Sequence, residues 1–180
     1  MKLNVGCGWR DFGDDWIHVD GGDYPHLQST DIYLNDYEKN CSEVIYASHV
    51  VEYFDREEIK ELLSSWKRVL KSGGILRVSV PNFAAIVSLY VKGYEPYELE
   101  DFLGPLYGKM RMGKDTIYHK TAYDFKSLKK ILEEAGFKKV RHYDWMETEH
   151  SQFDDHSQAY LPHMDKENGT LISLNVECSK

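Results

Sequence analysis

The sequence has few cysteines and prolines and lacks a long apolar run. Its three cysteines, Cys7, Cys41 and Cys178, are scattered and form no Cys-x-x-Cys pair, so neither a disulfide framework nor a zinc finger is indicated. No stretch approaches the roughly 20 apolar residues of a membrane span. Met1 also leads directly into strand-like residues rather than into a signal peptide. We therefore expect a protein of the reducing cytoplasm without a membrane segment.

Basic residues are scarce relative to acidic ones. The chain has 22 Lys and Arg against 30 Asp and Glu, a net charge of −8. Nucleic acids and anionic lipids both require a basic surface, so the balance argues against either as a partner. The 180 residues, 42% of them hydrophobic, contain no internal repeat or long linker and favour one globular domain over residues 1–180.

Strand and helix patterns alternate along the chain. Short apolar runs that end in turn residues predict strands at residues 3–5, 16–20, 44–47, 75–80, 140–145 and 171–178. Helices are predicted after Asp55, Asn82 and Asp124. Residues 93–118 show no clear period and receive no assignment. The alternation predicts an α/β fold with a mainly parallel sheet and helices on its faces.

The helix after Asp55 has the strongest pattern. Glu58 completes a capping box with Asp55. The apolar residues that follow lie on one face of a helix: Ile59, Leu62, Leu63, Trp66, Val69 and Leu70. Gly73 and Gly74 are predicted to end this helix.

A glycine turn follows the first predicted strand. Gly6 and Gly8 flank Cys7, and glycine lets a backbone approach a ligand where a Cβ would clash. Asp20 ends the second strand, where a carboxylate can accept hydrogen bonds from both hydroxyls of a ribose. Either feature alone also fits an ordinary turn, but together they indicate a nucleotide-type cofactor.

Four segments in order resemble the class I S-adenosylmethionine-dependent methyltransferases, and most closely the type 11 group. They are NVGCG at residues 4–8, IHVD at 17–20, RVLKSGGIL at 68–76 and VP at 80–81. Ser72 stands where the family's signature usually has proline. The resemblance implies a Rossmann-like fold whose mostly parallel sheet ends in an antiparallel strand. It also implies methyl transfer from S-adenosyl-L-methionine to a small molecule, with a sugar or polysaccharide precursor suggested by related proteins.

The resemblance assigns the cofactor contacts. Gly6, Cys7 and Gly8 would line the methionine and ribose portions, and Asp20 would hold the ribose hydroxyls. Asp31 and Ile32 resemble the pair of an acid and an aliphatic residue that flanks adenine, with Asp36 as a competing acid. Ser48 and His49 would lie at the carboxyl edge of the sheet, where ligands of such sheets bind.

The first crossover departs from the family. Only seven residues separate Gly8 from Trp16, whereas a crossover with a helix takes a dozen or more, so that helix is predicted to be shortened or missing. Arg10 would then meet the cofactor carboxylate instead of a helix N-terminus. We also expect a sheet face near Leu3 and Ile17 to be left bare, which would favour a homodimer unless residues 102–107 cover it.

Methyl transfer to a hydroxyl or amine requires a proton acceptor, and histidine suits neutral pH. His49 and His119 are the candidates, each of which could instead be structural, and Tyr118 could shape an aromatic pocket. The tail from His150 to His156, with His163 beyond, has potential metal ligands, but its spacing matches no metal motif. We therefore interpret it as a loop at the edge of the site and predict no metal.

Two other functions remain open. A nicotinamide-dependent oxidoreductase also places an acid on ribose, but it requires a third glycine at the start of a helix, and the RVLK-x-GG block is not typical of it. A non-catalytic subunit that keeps the fold would agree with the shortened crossover.

Overall fold

The computed structural model describes residues 1–92 and 97–180, so the first four residues of the unassigned segment 93–118 lie outside the described part. Strands and helices are both present. In chain order they are β1 (Lys2–Val5), β2 (Trp16–Val19), β3 (Ser42–Ser48), α1 (Glu58–Val69), β4 (Leu70–Pro81), α2 (Phe83–Val91), α3 (Leu99–Tyr107), β5 (Met110–Met112), β6 (Asp115–Ile117), α4 (Phe125–Glu134), β7 (Lys138–His142), β8 (Tyr160–Leu161), β9 (Thr170–Leu171) and β10 (Ser173–Ser179). Short 3-10 helices lie at Val51–Tyr53, Trp145–Glu147 and His156–Gln158. Among the described residues, α-helices alternate with strands only between β3 and β7.

The main sheet has six strands in the order β2-β1-β3-β4-β10-β7. The pairs β1–β2, β1–β3 and β3–β4 are parallel. Strand β10 runs antiparallel to both β4 and β7. The predicted α/β sheet with an antiparallel last strand is therefore confirmed. Because the chain places β2 on one side of β1 and β3 on the other, a crevice opens at the carboxyl ends of these strands.

Helix α1 covers one face of the sheet and begins as predicted. Asp55 Oδ1 accepts hydrogen bonds from the backbone N–H groups of Glu57 and Glu58, and the Asp55 N–H donates to Glu58 Oε2 at 2.8 Å. The predicted end of this helix is wrong. Leu70 is already extended and fully buried in β4, and Gly73 lies within this strand with φ of +76°.

Two crossovers lack a helix. Residues 6–15 and 20–41, all of them described, contain turns and irregular backbone but no helix, which confirms the shortened first crossover. Side chains of α1 hold the second one in place. Trp66 Nε1 donates to the Ile32 carbonyl at 2.8 Å, and the Arg68 guanidinium donates to the Leu34 and Tyr37 carbonyls.

The sheet face expected to be bare is covered. Leu3 is fully buried in the core that contains α1. On the opposite face Phe12 packs on Trp16, and Phe153 stacks on Phe12 with ring centroids 4.5 Å apart. The tail that includes Phe153 therefore occupies the side left open by the missing helix, and the expectation of a bare face is wrong.

Residues 102–107 do not provide this cover. Phe102 of α3 lies in a separate core cluster with Ile86, Leu89, Leu161 and Ile172. The homodimer was predicted because a bare sheet face was expected near Leu3 and Ile17, and that face is covered. Dimerisation itself stays a prediction.

The segment left without assignment contains more structure than its pattern indicated. Its described part forms α3 and a hairpin of β5 and β6, in which Met110 pairs with Ile117. None of the helices in residues 1–92 and 97–180 is long and apolar enough to cross a membrane.

Candidate active site

A cleft of about 780 Å³ opens at the carboxyl edge of the parallel strands, a size typical of small-molecule sites. Eight residues proposed from the sequence line it: Gly6, Gly8, Arg10, Asp20, Ile32, Ser48, His49 and His119. Cys7 and Asp31, which were assigned to the cofactor by resemblance, are not part of its lining.

The glycine turn and Asp20 form one hydrogen-bonded unit. Asp20 Oδ2 accepts from the Gly8 N–H at 2.8 Å, and Oδ1 accepts from the Gly22 N–H at 2.7 Å. Gly8 has φ of +59°, and a Cβ added there would enter open space in the cleft. The turn therefore leaves room for a ligand directly beside a fixed carboxylate, whose oxygens each keep a lone pair for a ribose hydroxyl.

Cys7 and Asp31 have structural surroundings. The Cys7 thiol is buried with Sγ 3.6 Å from His26 Nε2, and burial raises its pKa to about 12. The Asp31 carboxylate accepts from the backbone N–H groups of Tyr33 and Asn35 and thereby caps a turn. Their cofactor roles stay predictions without a contact in the cleft to support them.

Ile32, the neighbour of Asp31, lies where it can contact a ligand in the cleft. Ile32 contributes to the cleft wall, and its carbonyl is held by Trp66 at 2.8 Å. Because Trp66 is fully buried in α1, the position of Ile32 depends on the core and not on its own loop.

Arg10 links the glycine turn to the tail. Arg10 Nε donates to the Asp154 carbonyl at 2.7 Å, and the guanidinium lies over the Trp9 ring at 4.9 Å. The same tail is tied to the sheet by Asp155, a buried carboxylate that accepts hydrogen bonds from Tyr46 Oη and Ser48 Oγ. The terminal nitrogens of Arg10 form no hydrogen bond with a described residue, so they can bind an anionic group in the cleft.

A buried carboxyl group that sequence reasoning missed lies behind His49. Glu52 has no exposed surface, and neither oxygen forms a hydrogen bond with a described residue. His49 Nδ1 lies 3.3 Å from Glu52 Oε1 without the alignment of a hydrogen bond. Burial raises the pKa of Glu52 to about 8 and lowers the pKa of His49 well below its ordinary value. Near neutral pH the pair therefore contains a carboxylic acid and an uncharged imidazole. The only local signal in the sequence was the spacing of three between His49 and Glu52.

His49 Nε2 and both ring nitrogens of His119 also lie close to protein groups. His49 Nε2 lies 3.4 Å from Ser173 Oγ. His119 Nδ1 lies 3.2 Å from the Pro105 carbonyl, and its Nε2 is 3.8 Å from Glu52 Oε1. Burial lowers the pKa of His119 as well.

His156 also lines the cleft, and its ring has fewer protein partners than the rings of His49 and His119. Its ring centroid lies 5.0 Å from that of His49, and it forms no side-chain hydrogen bond with any described residue. His156 is exposed as a whole residue, but partial removal of its ring from water by the surrounding protein lowers its pKa. His156 belongs to the tail that was interpreted as a loop at the edge of the site. Its approach to His49 depends on a contact between distant parts of the chain.

The cleft fits a nucleotide-type cofactor. It combines open space beside Gly8, the fixed carboxylate of Asp20 and an aliphatic wall at Ile32. Among the described residues, no group of three or more His, Cys, Asp or Glu side chains is arranged to hold a metal ion.

One family model matches part of the chain. Residues 17–78 match the family model described as "Methyltransferase domain" (Methyltransf_11). No curated protein matches the chain.

Several solved structures have a similar fold. An S-adenosylmethionine-dependent methyltransferase from Archaeoglobus fulgidus matches with a TM-score of 0.62 and 19% identity over 99% of this chain and 85% of that one. Methyltransferases from Methanosarcina mazei (TM-score 0.59, 15% identity, 99% and 91% covered) and Mesorhizobium loti (0.58, 14%, 99% and 90%) match similarly. At these identities the similarity shows a shared fold.

Proposed function

We propose that this chain is a class I S-adenosylmethionine-dependent methyltransferase and that it methylates a hydroxyl or amine of a small molecule bound in the cleft, which the family-model match and the shared fold support. The observation that carries the proposal is the open space at Gly8 directly beside the fixed carboxylate of Asp20. A sugar or polysaccharide precursor is the acceptor class suggested by the sequence resemblance. We also propose a cytoplasmic location, which the three free thiols support.

The chain's own residues provide the cofactor site. Gly8 and Asp20 would hold the ribose end, and Ile32 would pack on the adenine ring. Arg10 would pair with the methionine carboxylate and so replace the N-terminus of the missing helix. This assignment is supported by the presence of all four residues in the lining of one cleft.

When bound, S-adenosylmethionine supplies a methyl group on a positively charged sulfur. The protein must then align the acceptor, exclude water and accept the acceptor's proton. For the first two needs, the hairpin residues Met110 and Ile117 line the cleft and would pack against a bound acceptor.

For the proton, we propose His156 as the accepting group. Its ring lines the cleft without a protein partner among the described residues, whereas His49 and His119 direct nitrogens towards Glu52 and other interior atoms. A lowered pKa keeps His156 uncharged near neutral pH and able to accept. His49 and His119 stay candidates that mutagenesis can separate from His156.

Calorimetric titration tests the function against its rivals. We expect S-adenosylhomocysteine and S-adenosylmethionine to bind and NAD not to bind. Binding of NAD alone would favour the oxidoreductase. Binding of S-adenosylhomocysteine without formation of a methylated product across a broad acceptor panel would favour the non-catalytic subunit.

A further inference from the structure

The hairpin of β5 and β6 turns its apolar side chains towards the cleft. Met110, Met112 and Ile117 line the cleft, while Arg111 and Thr116, which alternate with them, do not. Alternation of this kind is the expected result of a strand with one face on a pocket. The face towards the cleft therefore carries Met110, Met112 and Ile117, with the exposed Asp115 opposite Met112 at the tip of the hairpin, and the outer face carries Arg111 and Thr116.

The hairpin extends from one end of the cleft to the other. At the cofactor end, Met112 Sδ lies only 3.2 Å from the position that a Cβ on Gly21 would occupy. At the other end, Gly108, which precedes the hairpin, packs directly on the His119 ring. Met110 and Ile117 thus lie between the Asp20 region and the histidines.

A second apolar surface lies on the side away from Asp20. Leu161, Met164 and Ile172 line the cleft here. Ile172 immediately precedes β10, and β10 is separated from β1 by β3 and β4 in the sheet. Leu161 and Ile172 belong to a buried cluster with Phe102, so this wall is a fixed part of the core.

The position of these residues identifies the part of a ligand they would contact. The cofactor residues Gly8 and Asp20 lie at β1 and β2, and His49 and His156 lie next along the sheet edge. The part of the cleft lined by Met110, Ile117, Leu161, Met164 and Ile172 remains for the acceptor. Aliphatic and thioether side chains bind apolar groups, and sulfur contacts aromatic rings favourably.

We propose that the methyl acceptor carries an apolar portion, an alkyl chain or aromatic ring, that binds between the hairpin and the Leu161–Ile172 wall. Its nucleophilic hydroxyl or amine then faces His156 and His49. This inference rests on the proposed methyltransferase function and names the chemistry of its acceptor.

The experiment uses 4-alkylphenols as probes and needs no turnover. Phenol and its 4-ethyl, 4-butyl and 4-hexyl derivatives are titrated into the protein saturated with S-adenosylhomocysteine. We expect the affinity to rise by about fourfold for each added methylene, which corresponds to about 0.8 kcal/mol, until the pocket is filled.

Variants of the hairpin locate the site. Met110→Gln should reduce the gain per methylene, and Arg111→Gln, on the outer face of the same strand, should leave it unchanged. Ile117→Thr serves as the second inner-face variant if Met110→Gln does not fold. Equal losses in the inner-face and outer-face variants would overturn the assignment to this face.

The two proposals fail in different ways. An affinity that does not depend on chain length, with normal binding of S-adenosylhomocysteine, would overturn the apolar acceptor alone. Absence of S-adenosylhomocysteine binding would overturn the proposed function and this inference with it.

Discussion

Phe153 stacks on Phe12 with ring centroids 4.5 Å apart and planes inclined by 15°. The two residues are 141 positions apart in the sequence. Phe12 lies in the crossover that lacks its helix, and Phe153 lies in the tail before β10. This contact closes the sheet face and holds the tail residues Asp154 and His156 beside the cleft.

We expect Phe12→Ala to reduce the free energy of unfolding by about 3–5 kcal/mol, because Phe12 is buried and removal of a core aromatic ring leaves a cavity. Urea denaturation measures the change. Phe83→Ala is the matched control, since Phe83 is 44% exposed and should lose far less. Similar losses for both variants would contradict the role of Phe12 as the cover of this face.

Asp20→Ala should weaken S-adenosylhomocysteine binding by about 1.5–3 kcal/mol, the range for hydrogen bonds to a charged group. The structure adds an effect on stability, because Gly8 and Gly22 also lose the acceptor of their N–H groups. Calorimetry and thermal melting separate the two effects. Asp23→Ala, an exposed acid in the same loop, should change neither, and wild-type affinity in folded Asp20→Ala would remove Asp20 from the site.

Glu52→Gln should change how stability depends on pH. Burial raises the pKa of Glu52 from 4.5 to about 8, so the folded protein retains a proton that the unfolded chain releases. The stability contributed by this proton is fully present below pH 4.5 and is lost as the pH rises through about 8. Glutamine does not ionise, so the variant should gain stability relative to wild type between pH 5 and pH 9.

Urea denaturation at several pH values tests the role of Glu52. Glu61→Gln, an exposed residue of α1, should follow the wild-type profile. A difference between Glu52→Gln and wild type that stays constant over this range would show that Glu52 is not a buried neutral acid.

His156→Gln should lower turnover by about 10²–10⁴-fold if His156 accepts the proton, while S-adenosylhomocysteine binding and melting stay near wild type. Activity of the wild-type enzyme should fall at acid pH, where the imidazole becomes protonated. Turnover is measured as S-adenosylhomocysteine release with an acceptor identified from the alkylphenol panel or a broader screen.

His49→Gln distinguishes the rival roles of His49. If His49 is structural, as its contacts with Glu52 and Ser173 indicate, the variant should melt at a lower temperature. If His49 is the base, the variant should instead keep its melting temperature and lose turnover, and His156→Gln should then remain active.

Local patterns predicted the order and type of most regular elements. The capping box at Asp55, the helix start at Asp124 and the apolar stripe of α1 up to Val69 appear in the structure as predicted. They were predictable because a cap or a stripe depends on residues three or four positions apart. The hairpin of β5 and β6 was missed because its three-residue strands are too short to establish a period.

The sequence by itself determined the α/β fold class, the glycine turn with Asp20 and the absence of the first crossover helix, since each depends on neighbouring residues or on chain length. Only the tertiary structure decided which groups meet in the cleft. Tyr46 holds Asp155 across 109 positions, and this contact places His156 near His49. The burial that raises the pKa of Glu52 likewise comes from packing between distant segments. Such contacts depend on how the sheet and its connections fold together, and no local spacing encodes them.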